Sequence, residues 1–162
     1  MQNHYDFIKS DKDFVYLFTT KNAIRYRVAF LDDHTFNTIS ETENYNTIYQ
    51  IVIEKLDKIR EPLDAKVSET IIKIVHDFLM NFPFFIIYYC SHEDDKELKR
   101  FNSFNRWYDR SQEKMVIERS INIMKISGQI IYSALMFHRE NPLRDEILLI
   151  YDSMESILNA PK

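Results

Sequence analysis

Phe84-Phe85-Ile86-Ile87-Tyr88-Tyr89-Cys90-Ser91-His92-Glu93-Asp94-Asp95 is the stretch on which the fold of this chain turns. An apolar run follows Pro83 and stops at Ser91. Its length and its isoleucine and aromatic content predict a strand over Phe84–Cys90, buried on both faces. A buried helix is the rival, but Pro83 and Ser91 leave too little length for one. Ser91 is the expected N-cap of a following helix, with Asp94 three residues on as in a capping box. Glu93, Asp94 and Asp95 then occupy the first turn, where the helix dipole favours negative charge.

At 100° per residue, Leu98, Phe101, Phe104 and Tyr108 fall on one side of that helix. Lys99, Asn102, Arg106 and Arg110 fall on the other, with Arg100 and Trp107 on the flank between. The expected helix lays an aromatic stripe on a sheet and shows a mostly basic face to water. Arg100 borders the buried side, within reach of Asp94 or Asp95 or in position to stack beside Trp107.

Working outward, Phe14–Thr19 and Ile24–Phe30 read as a hairpin around Thr20–Ala23. Ile24, Tyr26, Val28 and Phe30 alternate with Arg25, Arg27 and Ala29, the pattern of a strand with one wet face. Residues 1–13 read as a polar lead-in. Asp32–Thr47 is rich in Asp, Asn, Thr, Ser and Glu, with Phe36, Ile39 and Tyr45 scattered through it. That is long for a plain loop, so either a short strand around Phe36–Ile39 or a mobile flap is expected. Ile48–Leu56 reads as a third strand. After Glu61-Pro62, Asp64 or Ser68 starts a helix to about Asn81, with Val67, Ile71, Ile74, Val75, Phe78 and Phe82 on its apolar face. Met115–Ile126 and Gln129–His138 are two longer strands meeting at Ser127-Gly128. Asn141-Pro142 supplies an N-cap and a first-turn proline for a last helix to about Leu158. Ile147, Ile150, Tyr151, Met154, Ile157 and Leu158 share its face, while Leu148 and Leu149 fall off it. No linker or repeat interrupts this order. One α+β domain is expected over 1–162: two layers, a largely antiparallel sheet of about six strands, and three helices on one face.

Composition bounds the function. The chain has one glycine, Gly128. Glycine-rich phosphate loops and dinucleotide fingerprints need several, so nucleotides held in those two ways are not expected. The net charge of -4 gives no general field for nucleic acid. The single cysteine permits no internal disulfide and fits a reducing compartment. The first residues lack the basic and apolar regions of a signal peptide, and no apolar run approaches the roughly 20 residues of a membrane span. A cytoplasmic protein without cofactor or membrane partner is expected.

Tyr88-Tyr89-Cys90, Asp94 or Asp95, Arg100, Phe104 and Trp107-Tyr108 form a pattern. With the opening Phe18-Thr19 and Tyr26-Arg27-Val28-Ala29-Phe30, it resembles a family of small bacterial proteins known only as a domain of unknown function. The resemblance covers nearly the whole chain and implies no activity.

The chemistry-bearing residues divide as follows. Cys90 ends a strand near a helix N-terminus, which can lower a thiol pKa, but Glu93, Asp94 and Asp95 oppose this, so a core cysteine is expected. His92, Glu93, Asp94 and Asp95 are metal-ligand types, yet neighbours in one helical turn diverge, and no metal is expected. Arg100 with Asp94, Asp95, Trp107 and Cys90 is the constellation for a ligand site, since an arginine beside an aromatic can hold a carboxylate or phosphate. Its structural counterpart is an internal salt bridge. Lys99, Arg106 and Arg110 offer a weaker nucleic-acid surface. The leading expectation is a non-enzymatic interaction module, with a protein partner or a second copy at Phe36, Tyr45, Leu148 and Leu149. The alternative is a small-ligand binder or enzyme beside Cys90, Asp94 and Arg100.

Overall fold

The computed structural model describes residues 2–34, 47–60, 63–81 and 83–161. Seven strands form one sheet: β1 (Phe7–Lys9), β2 (Val15–Thr19), β3 (Arg25–Asp32), β4 (Ile48–Lys55), β5 (Phe85–Ser91), β6 (Ile117–Ile126) and β7 (Gln129–His138). Their order is β1-β2-β3-β4-β5-β7-β6. Every neighbouring pair is antiparallel except β4 and β5. Short loops make the hairpins. At the β6–β7 turn, Ser127 (φ 50°) and Gly128 (φ 83°) are both left-handed, the backbone a twisted two-residue hairpin requires. The parallel step needs a crossover, and α1 (Ala65–Leu79) provides it.

Three more helices follow: α2 (Asp95–Arg110), α3 (Arg144–Asp152) and α4 (Met154–Leu158). Successive residues of β5 point to opposite faces, and each face carries its own core. Ile86 joins Val28, Phe30, Met136, Phe78 of α1, and Phe104 and Tyr108 of α2. Phe85 and Ile87 join Leu135, Phe137, Ile147 and Tyr151 of α3, and Met154 of α4. The helices therefore cover both faces. The α+β class and the mostly antiparallel sheet hold. The count of six strands and three helices is short by one each among the described residues, and the two-layer arrangement becomes three-layered. The reason is visible in β5 itself: a strand apolar on both sides needs a cover on both sides. The missed strand is β1, three residues long and too short to show a period.

Two helix starts also differ from expectation. Asp94, not Ser91, caps α2, its carboxylate accepting from the Glu97 amide at 3.0 Å. Asn141 Oδ1 accepts from the Leu143 amide at 2.9 Å, closing a turn ahead of α3, which begins at Arg144. The single last helix is interrupted at Ser153. Phe36 and Tyr45, and nearly all of the Asp32–Thr47 segment, lie outside the described residues. Leu148 packs against the second core, whereas Leu149 is 71% exposed.

The phase of α2 is as expected, with Phe101, Phe104 and Tyr108 buried and Arg106 exposed. Phe104→Ala should lower unfolding stability by roughly 3–5 kcal/mol. Arg106→Ala should change it by under about 0.5 kcal/mol. Denaturant melts of the two variants side by side check both, and comparable losses would contradict this packing.

Candidate functional site

The geometry of the site starts from a limit on strand pairing. β4 stays in register with β3 from Tyr49 to Lys55. β5 stays in register with β7 from Phe85 to Ser91. With each other they share three pairs, Ile48–Phe85, Tyr49–Ile86 and Gln50–Ile87. Beyond Gln50 and Ile87 the two central strands part, each still held by its outer neighbour. The wedge between them is a cleft of about 570 Å³. It is lined by residues 50–53 of β4 and 87–90 of β5, with Lys99, Arg100, Phe104 and Trp107 of α2 along one side. That volume suits a small organic ligand.

A polar network fixes the wall behind it. The Tyr88 hydroxyl donates to Asn105 Oδ1 at 2.6 Å. Arg119 Nη1 donates to the Asn105 backbone oxygen at 3.1 Å and to Oδ1 at 3.3 Å. Its Nη2 pairs with Asp109 at 2.8 Å, and its guanidinium lies 4.4 Å from the centre of the Tyr108 ring. These contacts pin α2 to β5 and β6, so the cleft has a rigid side. Burial pushes the Tyr88 phenol far above its ordinary range, which keeps it neutral.

Three of the expected ligand-site residues meet in the cleft: Cys90, Arg100 and Trp107. Asp94 and Asp95 do not line it. Arg100 makes no ion pair or aromatic stack among the described residues, so neither the salt bridge nor the Trp107 contact forms. Lys99 likewise has no acidic partner there, while Arg106 donates to Ser103 Oγ at 3.0 Å. Lys99 and Arg110 line different clefts, which divides the basic face proposed for nucleic acid. His92 turns to Tyr132, its Nδ1 3.1 Å from the hydroxyl. Among the described residues no three His, Cys, Asp or Glu side chains gather as metal ligands.

A second cleft of about 620 Å³ adjoins the first, sharing Ile53 and Trp107 and running to the N-terminus of α1. Sequence reasoning missed Gln50 to Ile53, because nothing local marks where a strand leaves its neighbour. It missed Arg119 as well, which reads as an ordinary wet-face residue of β6.

Comparison with known proteins places the chain. Residues 63–153, more than half of it, match the model of a family of unknown function, DUF6169, and the chain belongs to that family. The matched span contains the Tyr-Tyr-Cys to Trp-Tyr pattern, while the opening hairpin lies outside it. No curated protein matches. One similar solved structure is described as "a putative phosphinothricin N-acetyltransferase". It is 12% identical, with a TM-score of 0.44, over 82% of this chain and 75% of that one. At that level the likeness says nothing about substrate or reaction. The expectation of a non-enzymatic interaction module is nonetheless corrected. An open cleft lined by Cys90 and Arg100 favours the alternative, a small-ligand binder or enzyme.

Cys90 forms a wall of the cleft and is 4% exposed. Burial raises its thiol pKa, and the charges of Glu97 and Asp94 raise it further. Below its raised pKa the thiol stays protonated and unreactive. A disulfide reagent at pH 8 should label Cys90 at least about tenfold more slowly in the folded protein than in urea. The folded rate should keep climbing as pH rises past the ordinary thiol range. Equal rates in both states would show an accessible, activated thiol.

Proposed function

We propose that this protein binds a small, elongated organic molecule in the wedge between β4 and β5. The observation that carries this reading is the stop in pairing after Gln50 and Ile87, with both strands continuing. Inner edges that no longer face a protein strand still carry backbone N–H and C=O groups that need partners. A ligand with amide groups along an extended arm can pair with those edges, as an added strand would. Its apolar parts meet Ile51, Phe104 and Trp107. Lys99 and Arg100, both exposed on α2, supply positive charge at the rim for an anionic group. Cys90, buried and protonated, shapes the wall and does not act as a nucleophile.

Acetyl-coenzyme A has this form: an extended arm with two amides, a small acyl thioester at one end and phosphates at the other. The likeness to an N-acetyltransferase suggests the probe and nothing more. Trp107 is the sole tryptophan of the chain and lines the cleft, so its emission reports occupancy without a label. Titration with acetyl-coenzyme A should change that emission saturably, and Arg100→Glu should weaken binding by about tenfold or more. A flat titration with both acetyl-coenzyme A and pantetheine would sink the proposal.

A further inference from the structure

We infer that the free edge of β6 is a dimerisation edge, on which a second copy of this chain pairs antiparallel through residues 119–123 about a two-fold axis at Ile121. The surface is separate from the wedge, since β7 lies between β6 and β5. The sheet ends in β1 on one side and β6 on the other, and the two edges differ. β1 has three residues and β6 has ten. A long edge strand carries a row of outward N–H and C=O groups that another strand can pair with. A charge, a proline or a bulge in mid-strand normally blunts such an edge. The middle of β6 is Ser120-Ile121-Asn122-Ile123, with none of these.

The direction of each backbone group on β6 follows from its hairpin. The turn joins Ile126 to Gln129, and at the far end the Arg139 amide donates to the Val116 carbonyl at 2.8 Å. Antiparallel pairs alternate between bonded and non-bonded. Even-numbered residues of β6 therefore turn their N–H and C=O towards β7, and odd-numbered residues turn theirs outward. Both ends of the outward row are sealed. The Ile117 carbonyl accepts from the Tyr108 hydroxyl at 2.7 Å. The Lys125 amide donates to Glu155 Oε1 at 3.0 Å, and its carbonyl accepts from Asn159 Nδ2 at 2.7 Å. Between the seals, the outward amides and carbonyls of Arg119, Ile121 and Ile123 have no partner among the described residues.

The seals fix the register. A second copy brings the same short window, and two such windows coincide in antiparallel sense when Ile121 faces Ile121. Arg119 of each copy then faces Ile123 of the other, and Ser120 faces Asn122. A two-fold contact of this kind is self-complementary and closes at two copies. The side chains agree with it. Odd-numbered residues of β6 point to the α2 face, where Ile121 and Ile123 are 48% and 59% exposed. Pairing lays Ile121 against its own copy and covers Ile123 with the aliphatic stem of Arg119. On the opposite face Ser120 and Asn122 meet as a polar pair. The charges agree as well. Lys125 is exposed on the α2 face, one step along from the second copy's Arg119. That arginine holds Asp109, whose side chain is largely exposed, so a lysine of one copy reaches a carboxylate of the other. No two like charges face each other in this register. A contact this short is weak and reversible.

Sedimentation velocity of the whole chain over a dilution series tests the edge. The protein should run at twice its 19.6 kDa mass when concentrated and dissociate on dilution. Ile121→Lys sets two ammonium groups opposite each other across the axis. Ile121→Pro removes the amide that crosses it, and because that amide points outward, β7 loses no bond. Both variants should be monomeric where the parent is dimeric. Leu149→Lys, exposed and away from the edge, should leave the dimer in place. Amide hydrogen exchange of the unsubstituted chain gives a second reading that needs no variant. The amides of Arg119, Ile121 and Ile123 should exchange at least about tenfold more slowly in the concentrated sample than in the dilute one. The Lys125 amide, already held by Glu155, should not change. A monomer at every concentration, a dimer that survives both Ile121 substitutions or is lost in Leu149→Lys, or exchange at these three amides that ignores concentration overturns the inference.

Discussion

Two parallel strands at the centre of the sheet are each held outward over a longer run of pairs by an antiparallel partner. β4 belongs to the meander β1-β2-β3-β4, and β5 belongs to the β5-β7-β6 unit. The antiparallel contacts β3–β4 and β5–β7 each extend over seven residue pairs. The parallel contact depends on a crossover through α1 and extends over three residue pairs. Right-handed twist rotates each strand against the next, and the weaker central contact gives first. Bulk helps it give. Tyr88 and Tyr89 follow immediately after the last pair, one on each face, and Tyr88 is wedged against Phe104 with ring centres 4.7 Å apart. The cleft is thus a product of the topology and would persist through many changes of the residues that line it.

That arrangement also explains why polar side chains cluster where they do. A sheet that opens exposes backbone groups and leaves the neighbouring side chains without a strand beside them. On one face the gap is bridged by Asp33, Gln50 and Tyr89, taken from three different strands or their ends. On the other, Asn105 and Arg119 hold α2 against the rear of β5 and β6. Away from the opening, ion pairs close other seams: Lys73 and His76 of α1 meet Glu113 after α2, and Arg144 meets Glu118. Partly exposed pairs of this kind add little stability each. The stability resides in the two aromatic and aliphatic cores.

Much of this was legible in the chain. The β5 run, the phase of α2, the Ser127-Gly128 turn and the hairpin at Val15 to Asp32 all follow from periodicity and turn chemistry, which act over a few residues. Asp94 shows the limit of such reading. Its carboxylate was placed in a capping box begun by Ser91, but β5 continues through Ser91, and the helix starts only after the strand ends. Cys90 is buried, and the acidic charges that act on it are Glu97 and Asp94, whereas the sequence points to Glu93, Asp94 and Asp95. Arg100 and Trp107 were picked out for their flank position, which does put them at the cleft, although their expected partners do not join them.

Local pattern by itself determined the element types, the α+β class and the buried stripe of α2, because each depends on near neighbours and on the period of helix or strand. It also supported a resemblance to a family of unknown function, and the match over residues 63–153 shows that family. Only the tertiary structure decided that helices cover both faces, that β4 and β5 run parallel, and that they part after three pairs. Those features arise from contacts between residues about forty positions apart, across a crossover whose path no local pattern encodes. The meeting of Asp33, Gln50 and Tyr89 is of the same kind. Their chemistry is plain in the sequence, but their proximity exists only once three strands have been laid side by side.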